Sequence, residues 1–176
     1  MTLKIYKRLI VFSLAVATLL IAVTQSSCGV YRFKDVSIPD SVKFVKLNQF
    51  QNKASYINPR LAPELTEKLR QKIVSQTRIG ITNGDDADWV IDCTITSYAF
   101  ATSGISNQQV NSNRLNVGVS VIVRDGKTQK EIGKYDVTTP FDYSGTLSLQ
   151  QAEQGLQTQM LRDITDGIFN RIFSNW

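Results

Sequence analysis

The fold is decided by the stretch RLNVGVSVIV, which covers residues 114–123. Every second side chain in it is apolar, the pattern of a strand with one face in the core and the other near solvent. These apolar residues are Leu115, Val117, Val119, Val121 and Val123. Asp125 and Gly126 follow and predict a hairpin turn onto a second strand over Glu131–Thr139. The sequence therefore predicts an antiparallel sheet at the centre of the fold.

A similar alternation precedes this hairpin. Trp89, Ile91, Cys93 and Ile95 fall on one side of a two-residue period, with polar residues on the other side. The segment 102–113 (TSGISNQQVNSN) is polar and uncharged, which is typical of a long hairpin loop. Two further strands are predicted over Ser41–Phe50 and Arg78–Thr82. The strands from Trp89 onward are thus expected to be joined by hairpins.

Two segments have the apolar spacing of amphipathic helices. In the first, Leu61, Leu65, Leu69 and Ile73 recur every four residues. Asn58 and Pro59 offer this helix an N-cap and a first-turn proline, although Pro63 could also set its start. In the second, Ser148 and Gln151 form a capping-box pattern. Behind it, apolar residues recur every four positions from Ala152 to Ile172, so the stripe should wind slowly around a helix of 3.6 residues per turn.

The order of elements is strand, helix, several strands, helix. We therefore expect an α+β fold in which two helices pack on one face of a mainly antiparallel sheet of about four strands. A chain of 176 residues supports a single domain of this kind, which we place at residues 41–176. The N-terminal remainder divides into a signal peptide at 1–27 and a linker at 28–40.

The N-terminal segment has the order of a secretory signal. Met1–Arg8 is basic, and the uncharged, mostly aliphatic run Leu9–Val23 follows. As a helix this run would reach about 22 Å, which is short of the ~30 Å hydrocarbon core that a membrane anchor must cross. The sequence therefore favours a cleaved signal peptide over an anchor.

Cys28 marks the predicted cleavage site. Ser26 and Ser27 before it and Gly29 after it resemble a bacterial lipobox, although Gln25 stands where leucine is usual. We expect the thiol of Cys28 to be acylated. The alternative is a disulfide with Cys93, which is disfavoured because Cys93 lies within a strand pattern, where a lone thiol behaves as a small apolar side chain.

The residues after Cys28 bear on the choice of membrane. Several acyl chains together hold a protein stably on a bilayer. Gly29–Lys34 contains neither an aspartate directly after the cysteine nor an acidic run. By resemblance to known lipoprotein sorting rules, this predicts the periplasmic leaflet of the outer membrane.

The composition excludes much of enzymology. The chain has no histidine, so the commonest general base and the commonest zinc ligand are missing. Asp85, Asp86 and Asp88 lack the spacing of a calcium loop, and no glycine-rich phosphate loop appears. We predict no enzyme activity, no catalytic residue, no metal and no cofactor. Nucleic acid is not an expected partner of an exported protein, despite the pI of 9.3.

Basic residues collect in the second hairpin, at its ends and along its polar face. They are Arg114, Arg124, Lys127, Lys130 and Lys134. One interpretation is a solvated sheet face. The other is a binding site for an anionic ligand, since lysine and arginine pair with phosphate groups. Both interpretations stay open here, and Lys43 and Lys46 add positive charge on the first strand.

Several strings resemble a known family. They are CGVYRF at 28–33, SIP at 37–39, NP at 58–59 and FNRIFSNW at 169–176. Together they span the predicted mature chain and are similar to the LptE family of lipopolysaccharide-assembly lipoproteins, in a divergent form. The resemblance implies a two-helix, four-strand α+β fold and a non-enzymatic role. It also implies a plug inside the LptD outer-membrane β-barrel that assists barrel assembly and binds lipopolysaccharide.

The resemblance assigns no particular basic residue to the ligand, so the five hairpin residues rest on the charge argument alone. Two other classes of function compete. One is a periplasmic adaptor or pilotin-like lipoprotein that binds a different barrel or a secretin. The other is a small lipid-anchored hydrolase, which the absence of histidine and of paired acids argues against.

Overall fold

The computed structural model describes residues 38–106 and 109–174, with side chains for 38–104 and 112–174. Its elements in chain order are β1 (Phe44–Leu47), β2 (Gln51–Asn52), α1 (Leu61–Gln76), β3 (Gly80–Ile81), β4 (Trp89–Ser106), β5 (Gln109–Asp125), β6 (Glu131–Ser144) and α2 (Leu149–Phe173). The predicted signal peptide, Cys28 and most of the predicted linker lie outside the described residues. The division into segments 1–27, 28–40 and 41–176 remains a prediction.

The sheet is mixed and has six strands. Its order is β3-β1-β4-β5-β6, and β2 pairs with β4 beyond the end of β1. β4, β5 and β6 are antiparallel, whereas β1 is parallel to both β3 and β4, and β2 is parallel to β4. The expectation of a mainly antiparallel sheet of about four strands was therefore only roughly right. The parallel pairs arise because α1 carries the chain back along the sheet between β1 and the later strands.

The predicted alternation of β5 is confirmed by burial. Its five apolar residues from Leu115 to Val123 are each at most 2% exposed. Ile91, Cys93 and Ile95 of β4 are buried on the same face. The buried residues of both helices join them in one hydrophobic cluster, so both helices cover this face of the sheet. The opposite face carries the polar residues of the alternation.

The apolar stripe of α1 is confirmed, but its predicted cap is wrong. Leu61, Leu65, Leu69 and Ile73 are all buried. Arg60 occupies the N-cap position without a side-chain capping bond. The side chain of Asn58 instead accepts a hydrogen bond from the Arg60 backbone N–H at 3.1 Å, so it closes the turn before the helix.

The capping box of α2 is confirmed in both directions. Ser148 Oγ accepts from the Gln151 backbone N–H, and Gln151 Oε1 accepts from the Ser148 backbone N–H at 3.0 Å. The buried residues run from Ala152 to Phe173, in a line that drifts around the helix as the four-residue repeat predicts. Across the described residues, neither helix combines the length and the apolar run needed to cross a bilayer.

The two helices run parallel to each other. Gln157 Nε2 donates to Glu64 Oε2 at 2.6 Å near the start of α1. Farther along both helices, Lys72 Nζ lies 2.9 Å from Asp166 Oδ1. Both helices therefore begin at the same end of the helical layer.

The predicted loop over 102–113 is wrong. The backbones of β4 and β5 stay paired through Thr102–Asn113 and on to Ser106–Gln109, with register shifts around Gly104. Ser103 Oγ and Ser112 Oγ also form a hydrogen bond at 2.9 Å across the two strands. Strand pairing uses backbone groups, so a polar, uncharged sequence can extend a hairpin without any core of its own.

Candidate functional site

The candidate site lies on the face of the sheet that the helices leave uncovered, which we call the open face. Asp92 and Arg124 alternate with buried neighbours and therefore point to this face. The strand register places Lys46, Val90 and Arg124 in one row across β1, β4 and β5. Lys134 on β6 pairs with Ile122 of β5 and joins the same face. The open face thus gathers basic side chains from three strands.

Arg124 is held in a polar network near one end of the open face. Its guanidinium contacts Asp92 Oδ2, and Asn48 Nδ2 donates to Asp92 Oδ1 at 2.7 Å. The two side chains of the ion pair are 35% and 30% exposed. Lys46 is likewise engaged, with its Nζ 3.5 Å from Asp85 Oδ1. Neither Lys46 nor Arg124 therefore offers an uncompensated charge.

Arg114 lies away from the other four predicted residues. It is ten residues from Arg124 along β5, which corresponds to about 33 Å of strand. Its Nε and Nη2 donate to the two oxygens of Asp142 at 2.7 and 2.9 Å. These hydrogen bonds raise the pKa of Arg114 and lower the pKa of Asp142. The predicted basic cluster is therefore divided, and Arg114 forms a separate exposed ion pair.

The β5–β6 turn presents exposed lysines close to Asp125, whose carboxylate is occupied by the backbone. Asp125 Oδ1 accepts from the backbone N–H groups of Thr128 and Lys127 at 2.7 and 3.1 Å. These bonds, together with one from the Thr128 hydroxyl, lower the pKa of Asp125. None of the eight ion pairs among the described residues involves Lys127, Lys130 or Lys134. The three side chains are exposed and able to meet an anion.

Asp88 joins this turn to β1. Its Oδ2 accepts from the backbone N–H groups of Lys43 and Phe44 at 2.8 and 3.0 Å, and these bonds lower the pKa of the carboxyl group. The backbone carbonyl of Asp88 accepts from the Gly126 N–H at 2.7 Å. A side chain at Gly126 would collide with the backbone of Ala87. Asp88 therefore bridges the start of β1 and the β5–β6 turn.

The structure thus adds Lys43 to the exposed lysines of this end. Lys43 and Lys127 both contribute to the lowered pKa of Asp88, after the backbone hydrogen bonds. We define the lysine rim as Lys43, Lys127, Lys130 and Lys134. The sequence placed Lys43 on the predicted strand Ser41–Phe50, but the apolar alternation did not indicate that β1 would pair with β4 in parallel. A crossover helix after β1 was the available signal for that parallel pairing.

Cys93 is a free thiol that is 1% exposed, as expected of a small apolar side chain in a strand. Burial raises its pKa far above the ordinary value, which makes it a poor nucleophile. Cys28, the cysteine that is predicted to be acylated, lies outside the described residues. Within residues 38–106 and 109–174, no group of three His, Cys, Asp or Glu side chains is arranged to hold a metal ion.

Most of the chain matches one known protein family. The model of the LptE family, described as lipopolysaccharide-assembly, matches residues 42–172. The chain belongs to the LptE family. The match covers β1 through nearly all of α2, so it includes both helices and the open face. Membership supports a role in lipopolysaccharide transport for a non-enzymatic lipoprotein.

Solved lipoprotein structures share the fold of this LptE-family chain. A minor lipoprotein from Acinetobacter baumannii has a TM-score of 0.53 at 18% identity, covering 74% of this chain and 92% of that one. Lipoprotein B from Nitrosomonas europaea has a TM-score of 0.54 at 17% identity, covering 82% and 90%. No curated protein sequence matches the chain significantly. The structural likeness therefore establishes a common architecture.

Proposed function

We propose that the chain is a lipid-anchored outer-membrane lipoprotein that plugs and helps assemble an LptD-type β-barrel and binds lipopolysaccharide during its transport. The observation that carries this proposal is the LptE family match over residues 42–172. The open face and its lysine rim support an anion-binding role. The lipobox-like sequence at Cys28 supports attachment to the periplasmic leaflet.

Purification of the native complex in mild detergent tests the partner. We expect recovery of an approximately 1:1 complex with a large barrel identified as LptD by mass spectrometry. Recovery with a secretin or another barrel would instead support the periplasmic adaptor function. Recovery of the chain alone, under conditions that preserve other barrel complexes, would contradict the plug.

Lipid attachment is tested by metabolic labelling with a fatty acid. Cys28→Ala should abolish the label because the acylated thiol is removed. Cys93→Ala is the matched control, since Cys93 is buried, and the label should persist in it. Persistent labelling of the Cys28→Ala protein would place the lipid elsewhere and contradict the anchor.

The lysine rim is tested by charge reversal. Changing Lys127, Lys130 and Lys134 to Glu should weaken lipopolysaccharide binding at least tenfold, because phosphate groups lose three cationic partners. The circular dichroism melting temperature should hardly change, since none of the three lysines takes part in an ion pair of the fold.

The matched control reverses three exposed charges away from the rim, at Lys53, Lys68 and Arg171. Both triple variants change the net charge equally, so a general electrostatic effect would weaken binding equally in the two proteins. A loss confined to the rim variant supports a local site. Unchanged binding in the rim variant would return these lysines to a solvated turn.

A further inference from the structure

A polar cleft lies on the helical side of the molecule, away from the open face. It has a volume of about 380 Å³ and lies where α1 begins beside the first turns of α2. Among its lining residues are Tyr56, Arg60, Glu64, Glu153, Gln157 and Met160. Pockets for small ligands span roughly 300–1,000 Å³, so the cleft has room for a small molecule or a side chain. The charges of its lining indicate which chemical group it would bind.

Glu153 is a half-buried carboxylate held in place by two tyrosines. Its Oε1 accepts from the Tyr98 hydroxyl at 2.7 Å, and its Oε2 accepts from the Tyr56 hydroxyl at 3.4 Å. The two tyrosine rings stack with their centroids 5.3 Å apart, and Tyr98 is 4% exposed. No lysine or arginine pairs with Glu153 among the described residues. The carboxylate is therefore oriented but not compensated.

Glu64 occupies the other wall of the cleft and is compensated. Arg60 Nη2 lies 3.1 Å from its Oε1, and Gln157 donates to its Oε2. The cleft thus contains two carboxylates and one guanidinium, a formal net charge of −1. Each carboxylate can accept about four hydrogen bonds, so both retain acceptor capacity toward a ligand.

We propose that this cleft binds a protonated primary amine. An ammonium group carries three donors and no acceptor, which matches an oriented carboxylate with spare lone pairs. It also interacts favourably with an aromatic ring such as that of Tyr56, and charge-assisted bonds to Glu153 would compensate its negative charge. The carbon frame of the ligand would contact Pro59, the exposed aliphatic residue of the lining. An amino sugar and a lysine side chain of a partner protein both present this group.

Ligand-observed saturation-transfer NMR on the full-length chain in detergent tests the chemistry. The probes are glucosamine and glucose at pH 6, which differ at one position, a protonated amine against a hydroxyl. Nα-acetyl-lysine methylamide and its Nε-acetylated form make the second pair. If an amine probe binds, we expect its affinity to be at least tenfold higher than that of its neutral counterpart. Binding by glucosamine indicates an amino sugar, binding by the lysine probe indicates a protein partner, and either result supports the site.

Variants localise the binding. Glu153→Gln should weaken binding of the amine probe at least fivefold with an unchanged melting temperature, whereas Glu131→Gln, an exposed control on β6, should not. Arg60→Gln should strengthen binding two- to threefold because it removes the cation that competes in the cleft. A misfolded protein would not show such a gain.

The proposal is overturned if glucose binds as well as glucosamine, if no amine binds, or if folded Glu153→Gln binds normally. Since no probe is lipopolysaccharide, failure here leaves the proposed function intact.

Discussion

The two ends of the β4–β5 hairpin are built in different ways. At the near end, where β4 begins and β5 ends, Asp88 and Gly126 connect the turn to β1 through backbone hydrogen bonds. At the far end, the segment 99–113 has no charged residue, and past the last pairing of β5 with β6 at Ser112 the two strands are held by their own pairing. The near end therefore depends on tertiary contacts between distant segments. The far end depends on local backbone pairing, which continues where the hydrophobic core has ended.

The largest effect is expected from Gly126→Ala at the near end. The added methyl group would overlap the backbone of Ala87, and backbone cannot rotate away as a side chain can. We expect the free energy of unfolding to fall by about 2–3 kcal/mol, the cost of overpacking a tight contact. Urea denaturation followed by circular dichroism measures this change.

Gly155→Ala is the matched control for that substitution. Gly155 lies in α2, and a methyl group there would meet no atom within 4 Å. Alanine is favoured over glycine inside a helix, so this variant should gain about 0.5–1 kcal/mol. If Gly126→Ala were as stable as the unchanged protein, the near-end contact would not be tight.

A smaller loss is expected from Asn113→Pro at the far end. β5 lies between β4 and β6, and Asn113 pairs with Thr102 on one side and Tyr143 on the other. Its N–H has a neighbouring strand on either side, so proline removes a hydrogen bond of the sheet and leaves an acceptor without a donor. We expect a loss of about 2 kcal/mol, and about 0.5 kcal/mol or less for Asn113→Ala, which keeps the N–H. A neutral Asn113→Pro would restore the loop interpretation of 102–113.

The far end also shows why part of the fold could not be predicted from the sequence. Alternation identified β5 and the start of β4 because burial selects apolar residues at every second position, as at Val119 and Ile91. Beyond Phe100, which is 62% exposed, the hairpin has little core to select such residues, so its sequence looks like a loop. Residues alone also do not reveal which strand a short segment will pair with. The parallel placement of β1 was missed for that reason.

The candidate site, like the fold, was predicted only in part from the sequence. The charge count located the lysines of the β5–β6 turn, because Lys127, Lys130 and Lys134 are close in sequence. The sequence did not show which lysines from distant elements would lie near this turn. Lys43 is such a residue, and it joins the lysine rim through the contact of Asp88 with β1. Ion pairing was also hidden, since the acids that neutralise Arg114 and Arg124 lie 28 and 32 residues away.

The smallest effect compares the two arginines, one at each end of β5. Arg124→Met should cost about 1–2 kcal/mol, because Asp92 is half-buried and would keep Asn48 as its remaining side-chain partner. Arg114→Met should cost clearly less than Arg124→Met, since water solvates both members of that exposed pair. Urea denaturation at low and high salt separates the two, as salt screens the exposed pair more strongly. If both variants lost the same stability with the same salt dependence, the two ion pairs would be equivalent. Arg124 would then be as available to an anionic ligand as Arg114, and the lysine rim would no longer be the distinct part of the open face.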